Sequence, residues 1–385
     1  MRPHPDRLTR LPEQYFGALL ARVVAAAAVQ GEALVDLGRG NPETGPPQHV
    51  IDALAEAANR PTAHGYAPFR GMPELRAAVA ARYRSAYGVE LDPDAEVAVV
   101  PGTKTAIVEL SLVLAERGDT VVLPDPYYPD YPSGPALAGA RLATVPLDRA
   151  AGWAPDFPRA PRDNVAALYL NYPSNPCAVT VPDGVFEEAI RFGHETGAAI
   201  VHDFAYADLA FDGYRPPSIF DAEGAREVAV ELYSLTKGFS LAGWRVAFVL
   251  GRSDVVGALA RLKSYLDYGS FQPLQIAATV ALREARERPA EVAEIYQGRR
   301  NALCDGLARI GWDVPRPPAT MFVWARIPTA EASQAFALRL LRQGHVAVSP
   351  GSGFGADGEG FVRFALVENE QRIGQAVRGI RRVLT

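Results

Sequence analysis

The sequence predicts an α/β fold, a large domain built on a mostly parallel sheet between helices and joined to a smaller α+β domain. Three observations carry that reading. From about residue 75 to 265, short β-branched runs alternate with longer amphipathic stretches, the pattern of strand–helix–strand units. After residue 275 the order changes to long helices followed by short strands. Polar residues also gather directly after the apolar runs of the first region, where an open α/β sheet binds its ligands.

The strand runs, in order, are "EVAVVPG" (96–102), "TVVLPDP" (120–126), "VAALYLNYP" (165–173), "AAIVHD" (198–203), "VAVELYS" (228–234) and "RVAFVLG" (245–251). Between them, "PELRAAVAARYRSAYG" and "PDGVFEEAIRFGHETG" place apolar residues at helical spacing. Pro-rich segments around 154–162 and 314–318 read as connections. Beyond residue 275, "LQIAATVALREARERPAEVAEIYQGRRNALCDGLARIG" is helical, and "MFVWARI", "HVAVSP" and "GFVRFALV" are short strands. The expected division is an N-terminal arm with part of the small domain (1–45), a large domain (46–275) and a small C-terminal domain (276–385).

Composition narrows the function classes. With 385 residues, 48% hydrophobic and 22% charged, the chain has an ordinary globular make-up and room for both domains. A net charge of −5 gives no reason to expect nucleic acid or an anionic membrane as partner. Cys177 and Cys304 are too few for a disulfide framework and fit a reducing cytoplasm. The six histidines lack ligand spacing, so no metal is expected. The apolar run from Ala18 is interrupted by Arg22 and has the wrong flanks for a signal peptide. It also falls short of the roughly 20 unbroken apolar residues of a membrane span. A nucleotide- or phosphate-binding protein without an organic cofactor is a rival on the same sheet, but no G-x-x-x-x-G-K-[ST] loop is present.

The strand ends carry the chemistry. Lysine occurs only at 104, 237 and 263, basic charge being otherwise left to arginine. Lys237, flanked by Ser234, Thr236 and Gly238 with Arg245 following, suits a phosphorylated carbonyl cofactor. Neighbouring cations would lower its amine's pKa, and Ser234 and Arg245 would hold a phosphate. A plain loop lysine is the alternative. Asp203 ends an apolar run, a costly place for an unpaired carboxylate; a pyridinium nitrogen or an internal cation would relieve it. Tyr206, three residues on, and Asn175, in "NYPSNPC", could serve the phenolic oxygen of the same ring. "VVPGTKTAIVELSLVLAE" is strand, glycine turn and helix, so Gly102 and Thr103 open an anion site at a helix start. Tyr128 in "PDPYYPDY" offers a flat face for stacking. Arg363 alternates with Val362 and Phe364 and points inward, where it needs a carboxylate from a substrate or from an internal Asp or Glu.

Eight stretches stand in order along essentially the whole chain: "LGRGNPE" (37–43), "HGYAPFRGMPELR" (64–76), "PGTKTA", "PDPYYPDY", "NYPSNP", "HDFAYADL", "SLTKGFSLAGWR" and "FVRFALV". Together they resemble the fold-type I pyridoxal 5′-phosphate aminotransferases of class I/II. The resemblance implies a seven-stranded, mostly parallel sheet in the large domain. It implies that Lys237 tethers pyridoxal phosphate and carries the proton, that Asp203 faces the pyridine nitrogen, and that Asn175 and Tyr206 contact the phenolic oxygen. Gly102, Thr103, Lys104, Ser234 and Arg245 would surround the phosphate, with Tyr128 stacked on the ring. Arg363, Asn175 and the Gly40 backbone would receive the substrate carboxylate. Tyr66 would reach across to a partner's phosphate, which implies a homodimer with shared sites.

Within that family, "VHDFAYADLAFDGYRPPSI", "ARLKSYLDYGSFQPLQIAA" and "VSPGSGFG" look most similar to bacterial glutamate–pyruvate transaminases, which grade into LL-diaminopimelate aminotransferases. Lys104, Tyr268 and Tyr15 are then expected at the substrate side chain. The sequence departs from the family pattern at Thr105 and Ala106, at Cys177, and at Arg39, where a smaller or apolar residue is more usual. The expected activity is amino-group exchange between an amino acid and a 2-oxo acid, with alanine and 2-oxoglutarate the favoured pair. Alternatives are an LL-diaminopimelate or succinyldiaminopimelate aminotransferase, a lyase on the same cofactor, or a transaminase of specialised metabolism.

Overall fold

The computed structural model describes residues 4–385. Its strands, in chain order, are β1 (Val35–Asp36), β2 (Val97–Val100), β3 (Thr120–Asp125), β4 (Arg141–Asp148), β5 (Ala154–Pro155), β6 (Val165–Asn171), β7 (Ala199–Asp203), β8 (Ala229–Ser234), β9 (Ala247–Gly251), β10 (Phe322–Arg326), β11 (Val346–Ala347), β12 (Ser349–Pro350) and β13 (Phe361–Ala365). One large sheet has the order β2-β9-β8-β7-β6-β3-β4-β5. The pairs β4–β3, β3–β6, β6–β7 and β7–β8 are parallel. β9 runs against both β2 and β8, and β5 is a two-residue antiparallel addition to β4. Seven strands therefore form the body of the sheet, with an eighth at its edge.

Side-chain alternation explains the layers. On β2, Val97 and Val99 pack to one side while Ala98 and Val100 pack to the other. Helices Thr103–Leu114 and Ser253–Leu266 cover the second face; Pro73–Tyr87, Gln272–Glu284 and Val185–Thr196 cover the first. Each fully buried Val or Leu is worth roughly 1.5–3 kcal/mol, so a one-residue slip of a central strand is costly. The inner strands are buried throughout, as a sheet covered on both faces requires. β4 differs: of its residues only Val145 and Leu147 are buried. It lies next to the sheet edge, which is why no continuous apolar run marks it in the sequence.

The smaller sheet has the order β10-β13-β12, all antiparallel. Helices Arg288–Arg309 and Glu370–Leu384 pack on it through Leu303, Leu307, Ile373 and Ile380, against Val323 and Phe364. β1 pairs in parallel with β11, Val35 opposite Val346. Past β1, Leu37 continues the connection: its N–H donates to Ala347 at 2.9 Å and its carbonyl accepts from Ala365 at 2.7 Å. The segment Gly38–Gly40 is thereby carried to the end of β13.

Two sequence features read differently in the structure. Residues Tyr15–Ala33 form a helical segment long and apolar enough, by length and composition, to cross a membrane, contrary to the expectation from its interrupted apolar run. Leu19 and Val23 of this helix pack on Leu34, Leu341 and Ala347. Residues 353–358 have the glycine spacing of a dinucleotide-binding turn, yet only the short 3₁₀ turn Ala356–Gly358 follows them. The N–H groups of Ala356 and Asp357 already donate to the Asp125 carboxylate, both at 3.1 Å.

Candidate active site

Strand direction gathers the polar ends. The parallel strands β3, β6, β7 and β8 finish at one edge of the sheet with Asp125, Asn171, Asp203 and Ser234, and β2 leads there into Gly102. β9 starts at that same edge because it is antiparallel. Its register, Ala247 opposite Ser234, brings Arg245 beside the end of β8. Arg363 arrives on β13 of the smaller sheet. Between these groups lies a cavity of about 450 Å³, in the range of small-molecule sites.

Asp203 and Lys237 form its floor. Asp203 accepts from the Tyr131 hydroxyl at 2.8 Å and from the Ala205 N–H at 3.1 Å. Burial raises its pKa, opposed by the Tyr131 and Ala205 hydrogen bonds and by His202 and Lys237. Asn171 donates to the Asp203 carbonyl at 2.7 Å and accepts from the Asn175 N–H at 2.7 Å, tying two strand ends together. The Lys237 amine donates to the Gly40 carbonyl at 2.9 Å. Burial lowers its pKa to about 7, helped by Arg363 and Arg245 and opposed by Asp203. An amine so placed spends much of its time unprotonated near neutral pH, as a nucleophile or general base requires.

An anion corner adjoins this pair. Gly102 has φ +91° and precedes helix Thr103–Leu114, whose first two residues line the cavity and bring the helix start to it. Glycine is required there twice over: the backbone is left-handed, and a Cβ would collide with the Arg245 guanidinium. Ser234 caps the short helix Leu235–Gly238 by accepting from the Thr236 N–H at 3.1 Å, which leaves its own O–H available as a donor. Arg245 donates to the Ala242 carbonyl at 3.0 Å through one terminal nitrogen.

Opposite lies Arg363, buried, with Nη1 donating to Asn175 Oδ1 at 2.6 Å and Nη2 to the Gly38 carbonyl at 3.1 Å. Its guanidinium sits 4.1 Å from the Phe322 ring centre. Its Nε has no partner, and among the described residues no carboxylate pairs with it. Burial lowers its pKa to about 10, which leaves it charged at neutral pH. An uncompensated buried guanidinium is expensive, and an incoming carboxylate supplies the missing partner. Gly40 lies flat against Phe322, whose ring atoms would stand 2.7 Å from a Cβ.

The cavity brings together Gly40, Thr103, Lys104, Tyr128, Asn175, Asp203, Tyr206, Ser234, Lys237, Arg245 and Arg363, with Gly102 packed behind Arg245. Asn175 also donates to the Tyr206 hydroxyl at 3.4 Å. Three expected residues lie elsewhere. The Tyr15 hydroxyl donates to the Pro350 carbonyl at 3.1 Å, and its ring packs on Phe354. Successive helical residues diverge by about 100°, so Phe16 faces the cavity instead. Tyr268 is 49% exposed and packs at a tilt on Tyr66 with centroids 4.9 Å apart, outside the cavity. Tyr66, 85% exposed, also stays outside in this single chain. Phe16, Phe322 and Tyr131 are the residues missed. Each looks like ordinary core or turn material, and only its tertiary placement reveals it.

Comparison with known proteins agrees with this geometry. The family model for aminotransferase class I and II matches residues 32–380. The glutamate–pyruvate aminotransferase AlaC of Escherichia coli K12 is 42% identical over 97% of this chain and 92% of its own length. The LL-diaminopimelate aminotransferase of Moorella thermoacetica is 39% identical over 98% of this chain and 97% of its own. Substrate-bound BacF from Bacillus subtilis superimposes with a TM-score of 0.93 at 35% identity, over 99% of this chain and 98% of that one. The chain belongs to the class I and II aminotransferase family and is a transaminase, acting on amino acids and 2-oxo acids.

Proposed function

We propose that this transaminase uses pyridoxal 5′-phosphate, with alanine and 2-oxoglutarate as its favoured pair, and works as a cytoplasmic homodimer. The observation that carries the proposal is one cavity holding both a lysine with its pKa near 7 and a buried arginine without a carboxylate. The donor set fits the cofactor. Thr103, Ser234, Arg245 and the helix start after Gly102 would hold its phosphate, Asp203 its ring nitrogen, Asn175 and Tyr206 its phenolic oxygen, and Tyr128 its face. When bound, the cofactor supplies an electrophilic carbonyl and an electron-withdrawing ring.

The remaining steps belong to the protein. Arg363 and Asn175 orient the substrate by its α-carboxylate. Lys237 Nζ would take the α-proton and redeliver a proton, with the amino group passing to the bound cofactor and water supplying the oxygen of the 2-oxo acid. Tyr131 and the Ala205 N–H keep the enclosed Asp203 carboxylate hydrogen-bonded, offsetting the burial that favours its neutral form. The similarity to a glutamate–pyruvate enzyme supports alanine and 2-oxoglutarate, and the similarity to LL-diaminopimelate enzymes keeps that substrate as the second reading.

Single-turnover screening tests this. Individual amino acids are added to protein loaded with pyridoxal phosphate, and loss of the carbonyl-form absorbance is followed. Alanine and glutamate are expected to discharge it and LL-diaminopimelate to do so poorly. Borohydride should fix the cofactor's mass on Lys237. Protein that stays colourless and gains no mass there overturns the proposal.

A further inference from the structure

Arg39 has no part in the reading above, yet its side chain lines the cavity. Five cationic side chains do so: Arg39, Lys104, Lys237, Arg245 and Arg363, against the single carboxylate of Asp203. In the proposed function, Lys237 and Asp203 serve the cofactor ring, Arg245 its phosphate, and Arg363 the substrate α-carboxylate. Arg39 and Lys104 are left over, resting on Asp36 and Asp130, and a ligand with a second anionic group competes for Arg39.

We propose that Arg39, flanked by Lys104, receives the side-chain carboxylate of a dicarboxylic amino acid or 2-oxo acid; this rests on the transaminase reading above. Arg39 is held in a way that lets it go. Arg39 meets Asp36 through one contact, Nε to Oδ2 at 3.2 Å, and its two terminal nitrogens make no bond among the described residues. Lys104 meets Asp130 at 2.9 Å. The Arg39 and Asp36 side chains are 44% and 21% exposed, and so open an ion pair contributes little net stability. Asp36 does not depend on its cation, whereas Asp130 is buried and its Oδ2, which faces Lys104, makes no hydrogen bond. Asp36 also accepts from the Gly38 N–H at 2.9 Å, and Asp130 from the Gln14 amide at 2.6 Å. Turning Arg39 toward a ligand therefore strands no buried carboxylate, while its free terminal nitrogens match a carboxylate's two oxygens.

The same arrangement explains how one cavity serves two side chains in turn. An uncharged side chain leaves the Arg39–Asp36 and Lys104–Asp130 pairs closed. A distal carboxylate takes Arg39 from Asp36, beside a Lys104 that stays on Asp130. No backbone movement is needed, only rotation of one long side chain.

The test uses holoenzyme and the variants Arg39→Met and Arg39→Lys, with two readouts. One is the ratio of half-reaction efficiencies for glutamate and alanine. The other is calorimetric binding of glutarate and of butyrate, which cannot react. Arg39→Met should lower the glutamate-to-alanine ratio roughly tenfold and weaken glutarate relative to butyrate by a similar factor, with Arg39→Lys recovering part of both. Equal losses for both substrates, or an unmoved ratio, overturn the subsite alone. Wild-type protein that converts neither amino acid overturns the alanine and 2-oxoglutarate reading beneath it.

Discussion

Enclosing the Lys237 amine destabilises the folded chain, and the same enclosure makes it reactive near neutrality. Its pKa is about 7 in the folded protein against 10.5 for an ordinary lysine. Between those values the unfolded chain binds more protons, so stability rises with pH across the window. The penalty is fully present below about pH 7 and disappears above 10.5. In cofactor-free protein, Lys237→Met should therefore raise the thermal midpoint near neutral pH. At ~1.4 kcal/mol per pKa unit the gain is at most a few kcal/mol, reduced by the side chain's opening to the cavity. It should shrink toward zero as pH approaches 10.5, and calorimetry across that range measures it. A constant gain at every pH would mean that packing, not charge, sets the effect. Loaded with pyridoxal phosphate, the same variant should bind the cofactor without a covalent link and lose turnover.

Elements decide where such residues meet. Gly102 ends the turn between β2 and the helix Thr103–Leu114 and makes room for Arg245, which reaches it only because β9 is antiparallel. Gly102→Ala should strain a positive-φ position and displace the guanidinium together. The expected outcome is folded protein whose cofactor is lost on dialysis, its Kd raised by about one to two orders of magnitude; retained colour would count against the phosphate assignment. Legibility in the sequence follows the same logic. β3, β6, β7 and β8 are continuous apolar runs closed by polar residues because they are buried on both faces and end at the cavity. β4 has neither property, and no run announces it. Asp203, Lys237 and Arg363 were readable because a charge in an apolar setting needs a reason. Phe16 and Phe322 were not, since an aromatic residue that lines a cavity has the same local pattern as one that fills a core. Tyr15 and Phe16 are adjacent in sequence, and only the rotation of their helix distinguishes them.

At the scale of the molecule, one face remains to be accounted for. Tyr66, Phe69, Tyr265, Leu266, Tyr268 and Phe271 are all exposed, and Tyr66 and Phe69 both pack on Tyr268. Apolar groups in such number on one surface point to a protein partner. A two-fold homodimer would cover them with their own copies and carry Tyr66 to the neighbouring phosphate corner. Mixed subunits separate that arrangement from a site contained in one chain. Tyr66→Ala and Lys237→Ala proteins are each expected to have low activity alone. In a hybrid, the intact Lys237 of the first subunit is served by the intact Tyr66 of the second, so one of its two sites is whole. Random reassortment of an equal mixture should therefore restore about a quarter of wild-type activity per subunit. If Tyr66 acts within its own chain, or the chains never pair, mixing restores nothing, because every Lys237-competent subunit still carries the defective Tyr66. Sedimentation of the wild-type protein then tells those two failures apart, a dimer with no recovery placing Tyr66 in its own site and a monomer removing the shared site altogether.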